Sequence, residues 1–248
     1  MVRTFQESAR TMGLYGIKAL VFDIFGTVVD WRTSIIADFR AFGKHKGLDL
    51  DWVAFIDEWK TGYRTGMDAV RSGKWPWTRV DIIYRKKLDE LLPKYSLGGL
   101  SEGDKVYLNQ VWHRLNPWPD SVAGLARLKK KYVISPLSNG DVDCLVNMAK
   151  HGGLPWDVIL CAEIFHHYKP DPEVYLGAVE LLGCKPQEVM MVAAHNYDLK
   201  AARSHGLRTA FVPRPTEYGQ HQTTDLKAET GWDVIVLDFG KLASALGT

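Results

Sequence analysis

Apolar positions along this chain follow two rhythms. Residues 17–29, IKALVFDIFGTVV, form a β-branched and aromatic run broken by one Asp and then by Gly-Thr. Such a run predicts a buried strand ending in a tight loop. From 34 to about 116 the spacing is helical: Val80, Ile83, Tyr84, Lys87, Leu88, Leu91 and Leu92 recur at three and four, with Pro93 following. Breaks at 43–51, 72–76 and 93–101 divide this stretch into about four helices. After Asn116-Pro117-Trp118-Pro119-Asp120 short strands alternate with helices, the strands being expected at 132–137, 158–162, 189–194, 208–212 and 234–237. That alternation predicts an α/β fold, a doubly wound, mostly parallel sheet, built from 17–30 and 117–248 with 31–116 inserted as a helical unit.

Composition narrows the class. The 248 residues carry 31 Lys and Arg against 29 Asp and Glu, a net charge of +2 that speaks against a nucleic-acid binder. With 46% apolar and 24% charged residues the chain is of ordinary globular type. Cys144, Cys161 and Cys184 are too scattered for a disulfide framework or a paired zinc site, so a cytoplasmic setting is expected. No run suits a membrane span, the first sixteen residues lack a signal-peptide core, and Met12 is an alternative start.

In a doubly wound sheet, reactive groups collect beyond the carboxyl ends of the strands. Four of the predicted strands end in polar clusters: Asp23; Ser138-Asn139-Gly140-Asp141; Tyr168-Lys169-Pro170-Asp171; and His195-Asn196-Tyr197-Asp198. Taken singly, most have ordinary readings. Asp23 suits a strand-end turn, Lys169 a solvated loop, Ser138-Asn139 a turn and cap, and Asp198 a helix N-terminus. Their recurrence after four strands is the stronger signal.

With these residues in order, the sequence resembles the haloacid dehalogenase superfamily over nearly its whole length. Asp23-Ile24-Phe25-Gly26-Thr27 resembles the nucleophile motif, Ser138-Asn139 the second, Lys169 the third and 192–198 the fourth. The resemblance implies a Rossmann-like core with an α-helical cap at 31–116. Superfamily phosphatases carry a second Asp where Phe25 stands, which protonates a leaving alcohol, and a magnesium-binding Asp where Ala194 stands. Phe25 is similar to the pattern of the 2-haloacid dehalogenase branch, whose leaving halide needs no proton. The resemblance therefore implies attack by Asp23 on C2 of a short (S)-2-haloacid, then hydrolysis of the aspartyl ester, with no metal and no cofactor. Haloacetates, fluoroacetate included, fall within that class.

The same resemblance assigns roles. Lys169 would favour the ionised Asp23. Asp198 would orient Lys169 or activate water. Ser138 and backbone amides at Ile24 and Phe25 would hold the substrate carboxylate, with Asn139 toward the halide. The family's halide-binding Arg aligns with Lys60 in Trp59-Lys60-Thr61-Gly62-Tyr63, with Arg64 one turn on as the other candidate. Trp59, Tyr63, Tyr175 and Tyr197 are expected near the substrate, each with core packing as the competing reading. The other cap tryptophans, Trp52, Trp75 and Trp77, are expected to pack helices together. His195 is either a hydrogen-bonding group with a titration range suited to a base, or a packing residue. The adjacent His166 and His167 are read as strand-like, pointing to opposite sides. Two rival functions stay open, a divergent phosphatase and a non-catalytic binding protein, and a homodimer is carried as an expectation.

Overall fold

The computed structural model describes residues 16–248; the readings made on the leading residues, Met12 included, lie outside them. Among the described residues, six strands form one parallel sheet: β1 (Ala19–Phe22), β2 (Val133–Ser138), β3 (Leu160–Cys161), β4 (Val189–Ala193), β5 (Arg208–Phe211) and β6 (Val234–Ile235). Their order is β3-β2-β1-β4-β5-β6, so the winding reverses beside β1, where an α/β sheet opens a crevice. The hydrophobic run predicts this central place: Leu20 and Phe22 enter one apolar layer, Ala19 and Val21 the other.

Strands β3 and β6 are shorter than expected. Both lie at the sheet's edges, and Ile235 is already half exposed. His166 follows a single helical turn and has a φ of 54°, so the segment read as strand-like is not extended.

The helical stretch holds α1 (Trp31–Lys46), α2 (Trp52–Arg71), α3 (Val80–Lys94) and α4 (Glu102–Asn109), closed by a 3-10 turn at Gln110–Arg114. Two breaks fall later than the sequence suggests. Gly43 stays inside α1 because Trp52 packs where its Cβ would be, 2.7 Å away, and the helix ends instead at left-handed Gly47. Pro93 is tolerated in the last turn of α3, since the Tyr95 and Leu97 amides still close onto Leu91 and Leu92. The helical stretch enters and leaves at one place, where Val29 bridges Pro117 and the Asp30 amide donates to the Asn116 carbonyl.

The remaining helices, α5 (Ser121–Leu128), α6 (Val142–Gly152), α7 (Ala162–Phe165), α8 (Pro172–Leu181), α9 (Asn196–Ser204) and α10 (Phe239–Ala245), intersperse with the strands. No helix among the described residues is long and apolar enough to cross a membrane.

Candidate active site

The loops after β1 to β4 carry the four polar clusters to one edge of the sheet. Asp23 leaves β1 with its amide bound to the Val192 carbonyl, and its buried carboxylate accepts three side-chain hydrogen bonds. Lys169 Nζ lies 3.0 Å from Oδ1, while Thr27 Oγ1 at 2.7 Å and His195 Nδ1 at 3.0 Å share Oδ2. Thr27 is itself fixed by the Ala194 amide. Burial alone would raise the Asp23 pKa, but Lys169, then His195 and Thr27, hold it well below the usual carboxylate range. The nucleophile candidate is ionised.

Lys169 bridges two carboxylates. Its ammonium meets Asp198 as well as Asp23, and its backbone N–H donates to Asn139 Oδ1 at 2.7 Å. Asp198 is fully buried, and its other oxygen accepts from the Tyr175 hydroxyl at 2.6 Å. Desolvation opposes the charge on Lys169, yet Asp198 and Asp23 together raise its pKa. Burial pushes the Asp198 carboxyl upward, with Lys169 pulling the other way.

Asp23 opens onto a cavity of about 740 Å³ that Lys60, Tyr63, Asn139, His195 and Tyr197 also line. Lys60 sits in an aromatic box. Its Nζ is 4.1 Å from the Tyr63 ring centroid, 4.9 Å from Trp31, 5.1 Å from Trp112 and 5.5 Å from Phe25, and it donates to the Tyr84 hydroxyl at 3.3 Å. Ring faces attract the ammonium, but they solvate it less well than water. Burial accordingly brings its pKa from 10.5 down to about 8, even with Glu217 and Asp23 pulling upward.

A fifth loop, after β5, completes the site. Arg214 crosses to the Thr27 carbonyl and pairs through two hydrogen bonds with Asp120. Three residues on, Glu217 reaches His195 Nε2 at 2.8 Å and accepts from the Trp31 indole at 3.0 Å.

A hard divalent cation does not fit this donor set. Ala194 offers no side-chain ligand, and both Asp198 oxygens are engaged by Lys169 and Tyr175. The Lys169 ammonium lies between the acidic groups that would have to hold such an ion.

A family model for haloacid dehalogenase-like hydrolases matches residues 17–206. The chain belongs to that family. An (S)-2-haloacid dehalogenase of Xanthobacter autotrophicus is 30% identical over 208 residues, 80% of this chain and 76% of its own. A crystal structure of an L-2-haloacid dehalogenase superposes with a TM-score of 0.91 at 49% identity, covering 93% of this chain and 99% of that one. A defluorinating L-2-haloacid dehalogenase gives 0.91 at 45%, covering 94% and 96%.

Within this haloacid dehalogenase-like framework the sequence-derived residues divide. Asp23, Phe25, Lys60, Tyr63, Asn139, Lys169, His195 and the half-exposed Tyr197 share the cavity, and Arg64 lies exposed on its wall outside the aromatic box. Five others do not line it. Ile24 is buried in the core; Ser138 is fully buried with its hydroxyl accepting from the Gly140 amide; Trp59 donates to the Tyr84 carbonyl inside the helical stretch. Tyr175 and Asp198 stand behind Lys169, so Asp198 fits the orienting role rather than water activation. Trp52 packs on Phe39, and Trp77 on Tyr168.

Sequence reasoning missed Glu217, Trp31, Trp112 and Tyr84. The strand-end rule that found four clusters also applies to β5, where Pro213-Arg214-Pro215-Thr216-Glu217 follows.

Proposed function

We propose that the chain is a hydrolytic dehalogenase of short L-2-haloacids. The Asp23 carboxylate attacks C2, the carbon–halogen bond breaks with its electron pair leaving on the halide, and C2 inverts. Water then attacks the aspartyl ester, so that haloacid plus water gives 2-hydroxyacid, halide and a proton. The observation that carries this reading is a buried, ionised Asp23 opening onto the same cavity as a boxed ammonium, with the aromatic Phe25 where an acid catalyst for an alcohol would stand. The names of the relatives at 49% and 45% identity point the same way.

Lys60 is the halide's partner in this scheme, an ammonium that lines the cavity from within a low-dielectric aromatic wall. A compact ammonium suits small, hard anions, so fluoride lies within range. Lys169 keeps Asp23 charged, and Asp198 and Tyr175 hold Lys169 in place. Residues 31–116 act as the cap that supplies Lys60 and Tyr63. Three unpaired thiols support a reducing, cytoplasmic setting.

The test is halide release from L-2-chloropropionate, with intact mass following Asp23 under rapid quench. Wild type should show a transient adduct on Asp23, and Asp23→Asn should lose several orders of magnitude in rate. Equal halide release by both proteins would end the proposal.

A further inference from the structure

His195 holds the nucleophile from the side opposite Lys169, and its two ring nitrogens face two carboxylates: Nδ1 lies 3.0 Å from Asp23 Oδ2 and Nε2 lies 2.8 Å from Glu217 Oε2. Both partners are acceptors, so both nitrogens must carry hydrogen for both bonds to exist. The ring is an imidazolium donor, and a donor cannot serve as a base.

The two Asp23 oxygens are not equivalent. Oδ2 takes hydrogen bonds from Thr27 and His195, while Oδ1 takes one from Lys169. With two in-plane lone pairs on each oxygen, Oδ1 keeps one free to attack and Oδ2 does not. Displacement therefore makes Oδ1 the bridging ester oxygen and Oδ2 the ester carbonyl oxygen. When water bonds to Cγ, the carbonyl π pair moves onto Oδ2, where donors at 2.7 and 3.0 Å already stand within the range effective for a developing oxyanion. Collapse breaks Cγ–Oδ1, the product alkoxide takes one proton from the attacking water, the second leaves to solvent, and the water oxygen stays in Asp23.

We propose that His195 is the donor that stabilises the oxyanion on Asp23 Oδ2 during ester hydrolysis, with Glu217 as the positioning residue behind it. The proposal rests on the dehalogenase reading above and concerns its second half.

Glu217 is built in rather than incidental. It is buried to 2% exposure, and Trp31 holds its other oxygen. The nucleophile loop is shaped around it: Gly26 has a φ of 87°, and a Cβ there would lie 2.1 Å from Glu217 Oε1. Burial works against charge on His195, but Glu217 and then Asp23 carry its pKa well above the ordinary 6.5. The other titratable groups around it are Lys169 after β3, Tyr197 and Asp198 on α9, Tyr218 beside Glu217, and Lys60 and Tyr63 on α2. Esterification removes the charge of Asp23, and Glu217 is then the carboxylate that keeps the imidazolium charged.

The experiment is a single turnover of L-2-chloropropionate by wild type, His195→Gln and Glu217→Gln, with chloride release and decay of the Asp23 ester followed separately. Reading decay apart from chloride release keeps Lys60, which also faces Glu217, out of the comparison. His195→Gln should release its chloride burst and then accumulate ester, its decay slowed about 10²–10³-fold. In Glu217→Gln, decay should fall as pH rises through the ordinary imidazole range, because the active form is protonated, while wild type stays flat there. Ester decay at the wild-type rate in His195→Gln, or decay in Glu217→Gln that rises with pH as a general base requires, would overturn the assignment. If wild type forms no Asp23 ester, the dehalogenase reading itself fails.

Discussion

Replacing Lys60 by Met removes the ammonium and keeps most of the stem, and the aromatic box sets what should follow. Burial brings the Lys60 pKa from 10.5 to about 8, a penalty on the charged form of roughly 3 kcal/mol. In the proposed scheme the charged form meets halide, so activity should be present below that pKa and lost as pH rises through it. About a tenth of the enzyme keeps the charge at pH 9 and about a hundredth at pH 10, so kcat/KM, which reports the free enzyme, should fall in that proportion. Lys60→Met should start about 10²–10³-fold lower at pH 7, the loss typical of one donor to a developing anion, and show no such fall. Lys60→Arg keeps its charge throughout and should also be flat. The assay is initial-rate halide release at low substrate from pH 7 to 10. A flat wild-type profile, or the same decline in Lys60→Met, would refute the role of this side chain.

Three further outcomes follow from the geometry. Gly26→Ala places a methyl group into Glu217 at a positive φ and should cost about 1–3 kcal/mol and depress turnover, checked by thermal melting and halide assay; unchanged values would contradict the close approach. Tyr175→Phe strips one donor from fully buried Asp198 and should cost about 1–3 kcal/mol, a Tm drop of several degrees, with an unshifted Tm as the refuting result. Dialysis against EDTA should leave halide release unchanged, because Lys169 stands between the acidic groups a cation would need; a tenfold loss restored by Mg²⁺ would reverse that conclusion.

The sheet was legible where strands are buried on both faces, since β1 and β4 read as unbroken apolar runs. It was less so at the edges, where β3 and β6 pair over two residues each and leave too little pattern to bound. The Asp23–Lys169–Asp198 line was legible because each member follows a strand's carboxyl end, Asp23 directly, Lys169 beyond the short α7 and Asp198 in the first turn of α9. Trp59 takes the core-packing alternative for a geometric reason: consecutive helical residues point about 100° apart, so Lys60 reaches the cavity and Trp59 turns into the core. Glu217 escaped because the segment between β5 and β6 has no periodicity, and its role depends on a histidine 22 residues away.

The cavity volume bears on the order of events. At about 740 Å³ the chamber lies within the roughly 300–1,000 Å³ that houses drug-sized ligands, far more than a two- or three-carbon acid occupies. A small substrate therefore leaves room for water beside it. The space left over can hold the water that attacks the ester, so the dehalogenase reading needs no separate step to admit it.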